Sequence, residues 1–200
     1  MSNSQKDEYI KMRQANFRQT NAYAMQNGVI LGLWAIICQA CFVGGLSIPM
    51  LSTLWLLSLL GIPVIAYILT LRFRRIVGLD VNFTFSRGFL HSFLTLLYAA
   101  VWAGIAVFFY MQFFDNGYIF DCYTTNLSAP ETVKAMHEAG LDKSIAEATG
   151  GLSAIDIINE LRTIGAGNWT AVIIYLYMLC SPPISVVIGL LCIHRVHFKQ

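Results

Sequence analysis

The residues of this chain that could do chemistry are few and widely spaced. Cys38 and Cys41 have the CxxC spacing of metal-binding and redox sites, but they fall within a long apolar run. Thiolates are costly in hydrocarbon, and no histidine or acidic residue is next to either cysteine in the sequence. We therefore expect no metal or redox chemistry at these two thiols.

A second set of candidates lies in the polar segment 115–168. Its acidic and histidine side chains are Asp115, Asp121, His137, Glu138, Asp142 and Glu147. Carboxylates bind divalent cations, but the dense spacing of a cation-binding loop is missing here. His137 and Glu138 are adjacent and would diverge on a helix. A solvated acidic surface explains these residues better, so we predict no metal site and no cofactor.

The sequence contains no nucleotide-binding, zinc-protease or nucleophile-elbow motif. Its apolar runs also carry no Asp, Glu, Lys or Arg near their centres, where ion-coupled transporters place their ionisable groups. His91 lies near the start of one run, where its ring could reach the membrane surface. These patterns predict a protein that is not an enzyme, with no catalytic residue.

Composition predicts the elements that position these residues. Of the 200 residues, 56% are hydrophobic and only 12% are charged. Four runs are long enough to cross a bilayer, which takes about 20 residues each. The sequence thus predicts an all-α polytopic membrane protein, a single domain over 1–200, with transmembrane helices at 25–46, 50–71, 89–114 and 169–193. Residues 1–24 form either a partly ordered cytoplasmic tail or a short amphipathic helix on the membrane surface.

The distribution of positive charge predicts the orientation. The connection 72–88 holds Arg72, Arg74, Arg75 and Arg87, and further basic residues lie in the N-terminal tail and at Arg195 and Lys199. Of the 13 Lys and Arg residues, ten fall in segments assigned to the inner side and three in segments assigned to the outer side. This positive-inside bias places both termini in the cytoplasm.

The segment 115–168 contains two helix-start patterns. Ser128 to Glu131 resembles a capping box, with Gly140 ending that helix, and Ser153 to Asp156 resembles a second. Apolar residues after Ser153 recur at helical spacing. We therefore predict a small helical cap between the third and fourth spans, resting either on the ends of the spans or on a partner.

Small residues predict where helices pack closely. Gly28 and Gly32 have a small-xxx-small spacing in the first span, and Ala99 and Ala103 form a similar face in the third. Gln39, deep in the first span, is expected to hydrogen-bond to another helix.

Prolines predict distortions in two spans. Pro63 should kink the second, and the sequence Ser181-Pro182-Pro183 should break the fourth. A break at membrane depth must be covered by protein or water. Two interpretations remain open for Ser181, Pro182, Pro183 and Ser185: together with Gln39 they line a cavity for a lipid, or they belong to a kinked helix packed on its neighbours.

The connection 72–88 has one further pattern. Phe83 and Phe85 alternate with polar residues, which predicts a short extended piece lying on the membrane surface. Lys and Arg are sufficient to fix the orientation in the membrane, so orientation does not explain these aromatic residues. The pattern therefore suggests a docking site for a cytoplasmic partner, to which the arginines would contribute.

Two stretches carry a resemblance to a known family. They are FRRIVGLDVNFTFSRGFLHSFLTLLYAAVWAGIAVFFYMQFFDNGY and, in the last span, SPPISVVIGLL followed by basic residues. The chain resembles a family of uncharacterised four-helix bacterial inner-membrane proteins, catalogued as a domain of unknown function. The resemblance implies a Gram-negative inner-membrane location with a periplasmic cap. It implies no activity, cofactor or catalytic residue.

Two functions remain from these patterns. The first is a non-enzymatic membrane subunit or scaffold that packs with another membrane protein or with itself. The alternative is a small lipid-binding or transport protein that uses a cavity at a broken fourth helix. The bilayer is the expected environment in both cases, and nucleic acid is not an expected partner because no long basic run occurs.

Overall fold

A computed structural model describes residues 3–77 and 83–193 of the chain. Arg195 and Lys199 lie outside the described residues, as do the extended residues expected just before Phe83. The described ranges form helices α1 (Asn3–Gly45), α2 (Pro49–Val77), α3 (Phe85–Phe113), α4 (Tyr118–Ser128), α5 (Pro130–Glu138), α6 (Leu141–Thr149), α7 (Ala154–Arg162) and α8 (Ala166–Leu191).

Four of these helices are long and apolar enough to cross a membrane. They are α1, α2, α3 and α8, with stretches of mean hydropathy between 1.9 and 2.2. The all-α class is confirmed, and the four apolar helices indicate a membrane protein. The four short helices α4–α7 connect α3 to α8, and we call them the cap.

Helix α3 is the centre of the bundle. It packs most extensively against α8 and α1, while α2 packs mainly on α1. Small residues on α3 make this possible, since Ala99, Ala103 and Gly104 are buried between neighbours. The bundle has two distinct ends. The cap end lies where α1 and α3 finish, and the arginine end lies where α2 finishes and α3 begins.

Helix α1 is longer than the predicted span. Its 43 residues correspond to roughly 65 Å of helix, about twice the hydrocarbon thickness of a bilayer. The polar segment before residue 25 is helical and continues α1 without a break. From Thr20 onward, its side chains begin to be buried against the bundle.

The predicted break at Ser181-Pro182-Pro183 is not present. Helix α2 is continuous through Pro63, and α8 is continuous through Pro182 and Pro183. A proline removes the backbone donor that would reach the carbonyl four residues earlier. For Pro182 this carbonyl belongs to Met178, and it accepts a hydrogen bond from the Ser181 hydroxyl at 3.2 Å instead. The expectation of a broken fourth helix was wrong, and the Ser181 hydroxyl replaces one of the two donors that the prolines remove.

The cap contains four helices where two were predicted. Ser128 is the last residue of α4, and α5 begins at Pro130 after Ala129, which makes no side-chain cap. The predicted capping box at Ser128 is therefore wrong. The box at Ser153 and Asp156 is confirmed, with both reciprocal hydrogen bonds present at the start of α7.

Candidate functional site

The strongest candidate for a site is an apolar cavity of about 770 Å³ at the cap end of the bundle. Three long helices and two cap helices enclose it. Its lining residues come from α1 (Ile36, Gln39, Ala40, Phe42, Val43), α3 (Ala106, Val107, Tyr110, Met111), α4 (Ile119, Phe120, Tyr123), α7 (Ile158, Leu161) and α8 (Trp169, Ile173). The volume lies within the range of about 300–1,000 Å³ typical of small-ligand sites.

Helix α4 covers the cavity because the chain turns sharply after α3. Asn116 and Gly117 both have positive φ, at 44° and 86°. The buried carboxylate of Asp115 fixes this turn, since its oxygens accept hydrogen bonds from the backbone N–H groups of Gly117 at 3.1 Å and Ile119 at 3.2 Å. The first turn of α4 is thereby held over the end of α3, and Phe120 is buried.

Two side-chain contacts hold the cap around the cavity. Arg162 at the end of α7 pairs with Asp121 of α4. The Tyr118 hydroxyl, at the start of α4, hydrogen-bonds to the Ser47 hydroxyl in the turn between α1 and α2 at 2.5 Å. Both cap helices are thus fixed relative to each other, and α4 is fixed to the end of the bundle.

The cavity wall has a small number of polar groups. Gln39 donates from its amide nitrogen to the carbonyl of Ala103 at 3.2 Å, so it joins α1 to α3 as an interhelical amide. Trp169 packs its ring on Phe120, with 6.0 Å between centroids, and its Nε1 is buried without a hydrogen-bond partner in the described part of the chain. Tyr110 and Tyr123 are the remaining polar residues among those that line the cavity. Such a wall suits a largely apolar, uncharged ligand.

The structure separates the residues that were expected to line a cavity at the fourth helix. Gln39 lies in the wall of the cap-end cavity. Ser181 and Ser185 are buried on α8, and Pro182 and Pro183 are exposed on it. A smaller depression of about 360 Å³ between α2 and α8 also excludes all four of these α8 residues. Of the residues predicted to line a cavity at the fourth helix, only Gln39 lines the cap-end cavity.

The small-residue faces lie inside the bundle. A Cβ atom added at Gly28 would be 2.3 Å from the Cβ of Tyr98, and one at Gly32 would be 2.6 Å from that of Trp102. Both glycines thus allow α1 to approach α3 closely. Ala99 and Ala103 are fully buried on the same helix, α3.

The arginine end differs from the surface docking site expected there. Phe83 is 1% exposed and packs edge-on against Phe73, with 5.9 Å between ring centroids. Phe85 is the first residue of α3 and packs against Phe89 and Gly189. The expectation of a surface position for Phe83 was wrong, because its apolar ring fills the gap between α2 and α3.

Two of the four arginines have contacts within the bundle. Arg74 donates to the carbonyl of Cys192, the residue that caps the end of α8, at 3.2 Å. Arg87 donates to Gln19 of α1 at 2.6 Å and lies over the ring of Phe73, 5.6 Å from its centroid. Arg72 and Arg75 are exposed. Arg74 and Arg87 therefore connect helices, whatever their part in orientation.

A buried polar cluster near the arginine end was missed by sequence reasoning. His91 of α3 is fully buried, rather than reaching the surface, and its ring stacks on Phe73 at 4.3 Å. Its Nδ1 lies 3.1 Å from the Thr70 hydroxyl of α2, and its Nε2 lies 3.1 Å from the Asn27 amide of α1. Three helices thus meet through one imidazole.

The hydrogen-bond pattern assigns the tautomer of this imidazole. The Thr70 hydroxyl donates to the carbonyl of Ala66 at 2.9 Å, so it must accept from Nδ1–H of His91. Nε2 then accepts from the amide of Asn27. Both ring nitrogens of His91 are thus paired with side chains of other helices, which favours a structural role for His91.

The remaining candidates for chemistry are dispersed. Within the described ranges, no group of three or more His, Cys, Asp or Glu side chains could hold a metal ion. Cys38 and Cys41 are free and buried in helix packing. His137 and Asp142 do meet across the turn between α5 and α6, at 2.9 Å, and this hydrogen bond lowers the pKa of the Asp142 carboxyl. This pair is exposed and holds two short helices together.

Fold and cavity together define a helical membrane protein with four apolar helices and a hydrophobic cavity beneath a helical cap. The chain belongs to the family described as "protein of unknown function (DUF4199)", whose match covers residues 23–191. The match includes α1 from residue 23 onward, α2, α3, α8 and the whole cap, which agrees with the resemblance noted in the sequence. No curated protein matches the chain, and no solved structure matches it.

Proposed function

We propose that this protein binds the long apolar chain of a lipid in the cavity at the cap end. The observation that carries the proposal is the cavity itself, whose wall is made almost entirely of apolar side chains. An empty apolar space of this size forfeits many dispersion contacts, and water gains little there because few polar partners are available. A hydrocarbon chain fills such a space favourably.

The position of the cavity supports a lipid as the source of that chain. Ala40 and Tyr123 line the cavity and are also exposed at the protein surface, so the cavity is open along one edge. The long helices that form its wall have apolar outer faces, which lie among acyl chains in a bilayer. A lipid chain can therefore enter from the side without crossing water.

Filling the cavity from within tests this proposal. Ala106 lines the cavity on α3, and its replacement by Phe places a ring where the lipid chain would lie. We expect native mass spectrometry to find lipid retained by the wild type and its retention reduced about tenfold or more in the Ala106→Phe variant.

Ala171→Phe supplies the matched control. Ala171 is exposed on α8 and does not line the cavity, so its substitution adds the same ring to an outer face. Lipid retention by this variant should equal that of the wild type. Wild-type protein that retains no lipid, or equal retention by the Ala106→Phe and Ala171→Phe variants, would refute lipid binding in the cavity.

A second candidate function is that of a subunit or scaffold for another membrane protein. The small-residue faces do not support it directly, because they are used between α1 and α3. Its support comes from α5 and α6, which have no buried residues and expose Val133 and Leu141. Purification in mild detergent distinguishes the two functions: a stoichiometric partner that is lost in a Val133→Asp, Leu141→Asp variant would favour a subunit.

We also propose the orientation that the charges favour, with both termini in the cytoplasm of a bacterial cell and the cap in the periplasm. The arginine end carries four basic side chains within the connection and the neighbouring helix ends. Basic residues next to membrane spans resist translocation. The lipid cavity would then lie at the level of the outer leaflet of the inner membrane.

A further inference from the structure

We propose that α7 is a movable wall of the cap-end cavity, which swings outward to let a bound lipid chain exchange and then closes over the chain again. Such a motion rests on the proposed lipid binding and adds the way in which that site is opened. The support for it lies in how α7 is attached to the rest of the molecule, compared with α4, the other cap helix in the cavity wall.

Helix α7 lies between the cavity and the surroundings of the cap. Ile158 and Leu161 line the cavity, so one side of the helix faces it. Asp156 and Glu160 of the same helix are exposed. The reciprocal capping box of Ser153 and Asp156 satisfies the start of α7 from within. The helix can therefore move as a unit, and an outward motion takes two apolar side chains out of the cavity wall.

Glycines flank α7 on both sides. Gly150 and Gly151 precede it with φ of 73° and 105°, in the left-handed region that favours glycine. Gly165 follows it with φ of −67°, which any residue adopts, and a Cβ atom there would meet no atom within 4 Å. Since neither packing nor conformation requires glycine at 165, the property that it supplies is backbone freedom. Such positions at the ends of elements are where hinges form.

Helix α4 is attached far more firmly than α7. The Asp115 carboxylate holds the turn before α4, and Phe120 is buried. Helix α7 packs mainly on α4. Among the described residues, its one side-chain ion pair or hydrogen bond to another helix joins Arg162 to Asp121. These side chains are 43% and 64% exposed, and exposed ion pairs contribute little to stability. Helix α4 is thus the fixed wall, and α7 is held to it by a weak connection.

Removing this ion pair should speed the exchange of a bound lipid. The purified protein is loaded with dioleoyl phosphatidylcholine, an excess of the deuterated lipid is added, and native mass spectrometry follows the replacement. In Arg162→Gln the exchange should be about two- to fivefold faster than in the wild type, the effect of one exposed ion pair. The variant Asp121→Arg, Arg162→Asp restores the pair with its charges reversed, so it should return the rate to that of the wild type.

Lys134→Gln is the matched control. Lys134 pairs with Glu138 at 3.8 Å, and both side chains are exposed, but both lie on α5 and neither lines the cavity. Loss of this ion pair should leave the exchange rate unchanged. Equal rates in the wild type and in Arg162→Gln, or equal acceleration by Arg162→Gln and Lys134→Gln, would overturn the role of α7 while leaving lipid binding intact.

A second measurement detects the motion without a lipid. Cys122 and Cys180, the two cysteines that are not buried, are replaced by serine. Spin labels are then attached through Thr125→Cys in α4 and Glu160→Cys in α7, at two exposed positions. Double electron–electron resonance should show a longer second distance, whose population rises about two- to fivefold with Arg162→Gln. A single distance that this substitution does not change would overturn the movable wall. A changing distance in a protein that retains no lipid would refute the proposed function and leave the motion of α7 established.

Discussion

At the scale of single residues, the buried polar side chains of the bundle are the most informative. His91, Asn27 and Thr70 are fully or almost fully buried, yet each has a hydrogen-bond partner. The indole nitrogen of Trp169 and the hydroxyl of Ser185 are buried without a partner among the described residues. Paired polar groups stabilise the packing of helices, whereas unpaired ones are costly.

The cluster around His91 yields a prediction about stability. His91→Leu keeps an apolar side chain in place but leaves the Asn27 amide without its acceptor and the Thr70 hydroxyl without its donor. We expect the free energy of unfolding to fall by about 1–2 kcal/mol. Thermal unfolding of the detergent-solubilised protein measures the change.

Ser92→Ala is the control for this substitution. Ser92 is buried on the same helix, but its hydroxyl bonds only to carbonyls of α3 itself, Gly88 at 3.0 Å and Phe89 at 3.1 Å. Its removal should have a smaller effect. If the His91→Leu and Ser92→Ala variants unfold at the same temperature, the three-helix role of His91 is wrong.

Sequence reasoning was uneven at this scale, for physical reasons. Gly28 and Gly32 could be read as a packing face because they are four residues apart on one helix. His91 is 64 residues from Asn27 and 21 from Thr70, so no local pattern connects them. The position of Phe83 was predicted wrongly. Alternation of apolar and polar residues indicates an extended segment, but it does not indicate whether the apolar side chains lie on the surface or are buried.

At the scale of elements, α8 remains a continuous helix although it contains two prolines. Ser181 donates to the Met178 carbonyl that Pro182 leaves free, so one of the two lost hydrogen bonds is replaced locally. The cavity, in contrast, depends on α4, whose position follows from the turn at Asp115 and not from any periodicity of its own.

A prediction at this scale tests whether the two prolines of α8 contribute to lipid retention. In the Pro182→Ala, Pro183→Leu variant, α8 regains two backbone donors, and both positions are exposed. Because neither residue lines the cap-end cavity, lipid retention should remain within about twofold of wild type in native mass spectrometry. A large loss of retained lipid would indicate instead that the binding site lies at the centre of the fourth helix.

At the scale of the whole molecule, hydropathy alone indicates four apolar helices, because a run of this length has few other stable solutions. The packing order of the four helices was not predictable in this way. Helix α8 lies against α3 chiefly because Gly104 and Gly189 allow close contact with Ile174 and with Phe85. Such pairings depend on shapes that meet only in the fold.

Orientation is a property of the whole chain and gives the last prediction. A periplasm-active reporter inserted near Gly140, between α5 and α6, should be active, and the same reporter fused after Gln200 should be inactive. The positive-inside bias is the reason. The reverse pattern of activity would invert the proposed orientation and move the lipid cavity to the cytoplasmic leaflet.

The cap-end cavity also has a consequence for synthesis. Gln39 lies on the first helix, whereas Trp169 lies on the last, and the walls between them come from α3, α4 and α7. A nascent chain that has inserted only its first three apolar helices therefore lacks one wall of the cavity, and the face of α3 around Gly104 is still uncovered. The proposed ability to hold a lipid chain would be complete only when α8 joins the bundle, and lipid retention would then report that assembly of the chain is complete.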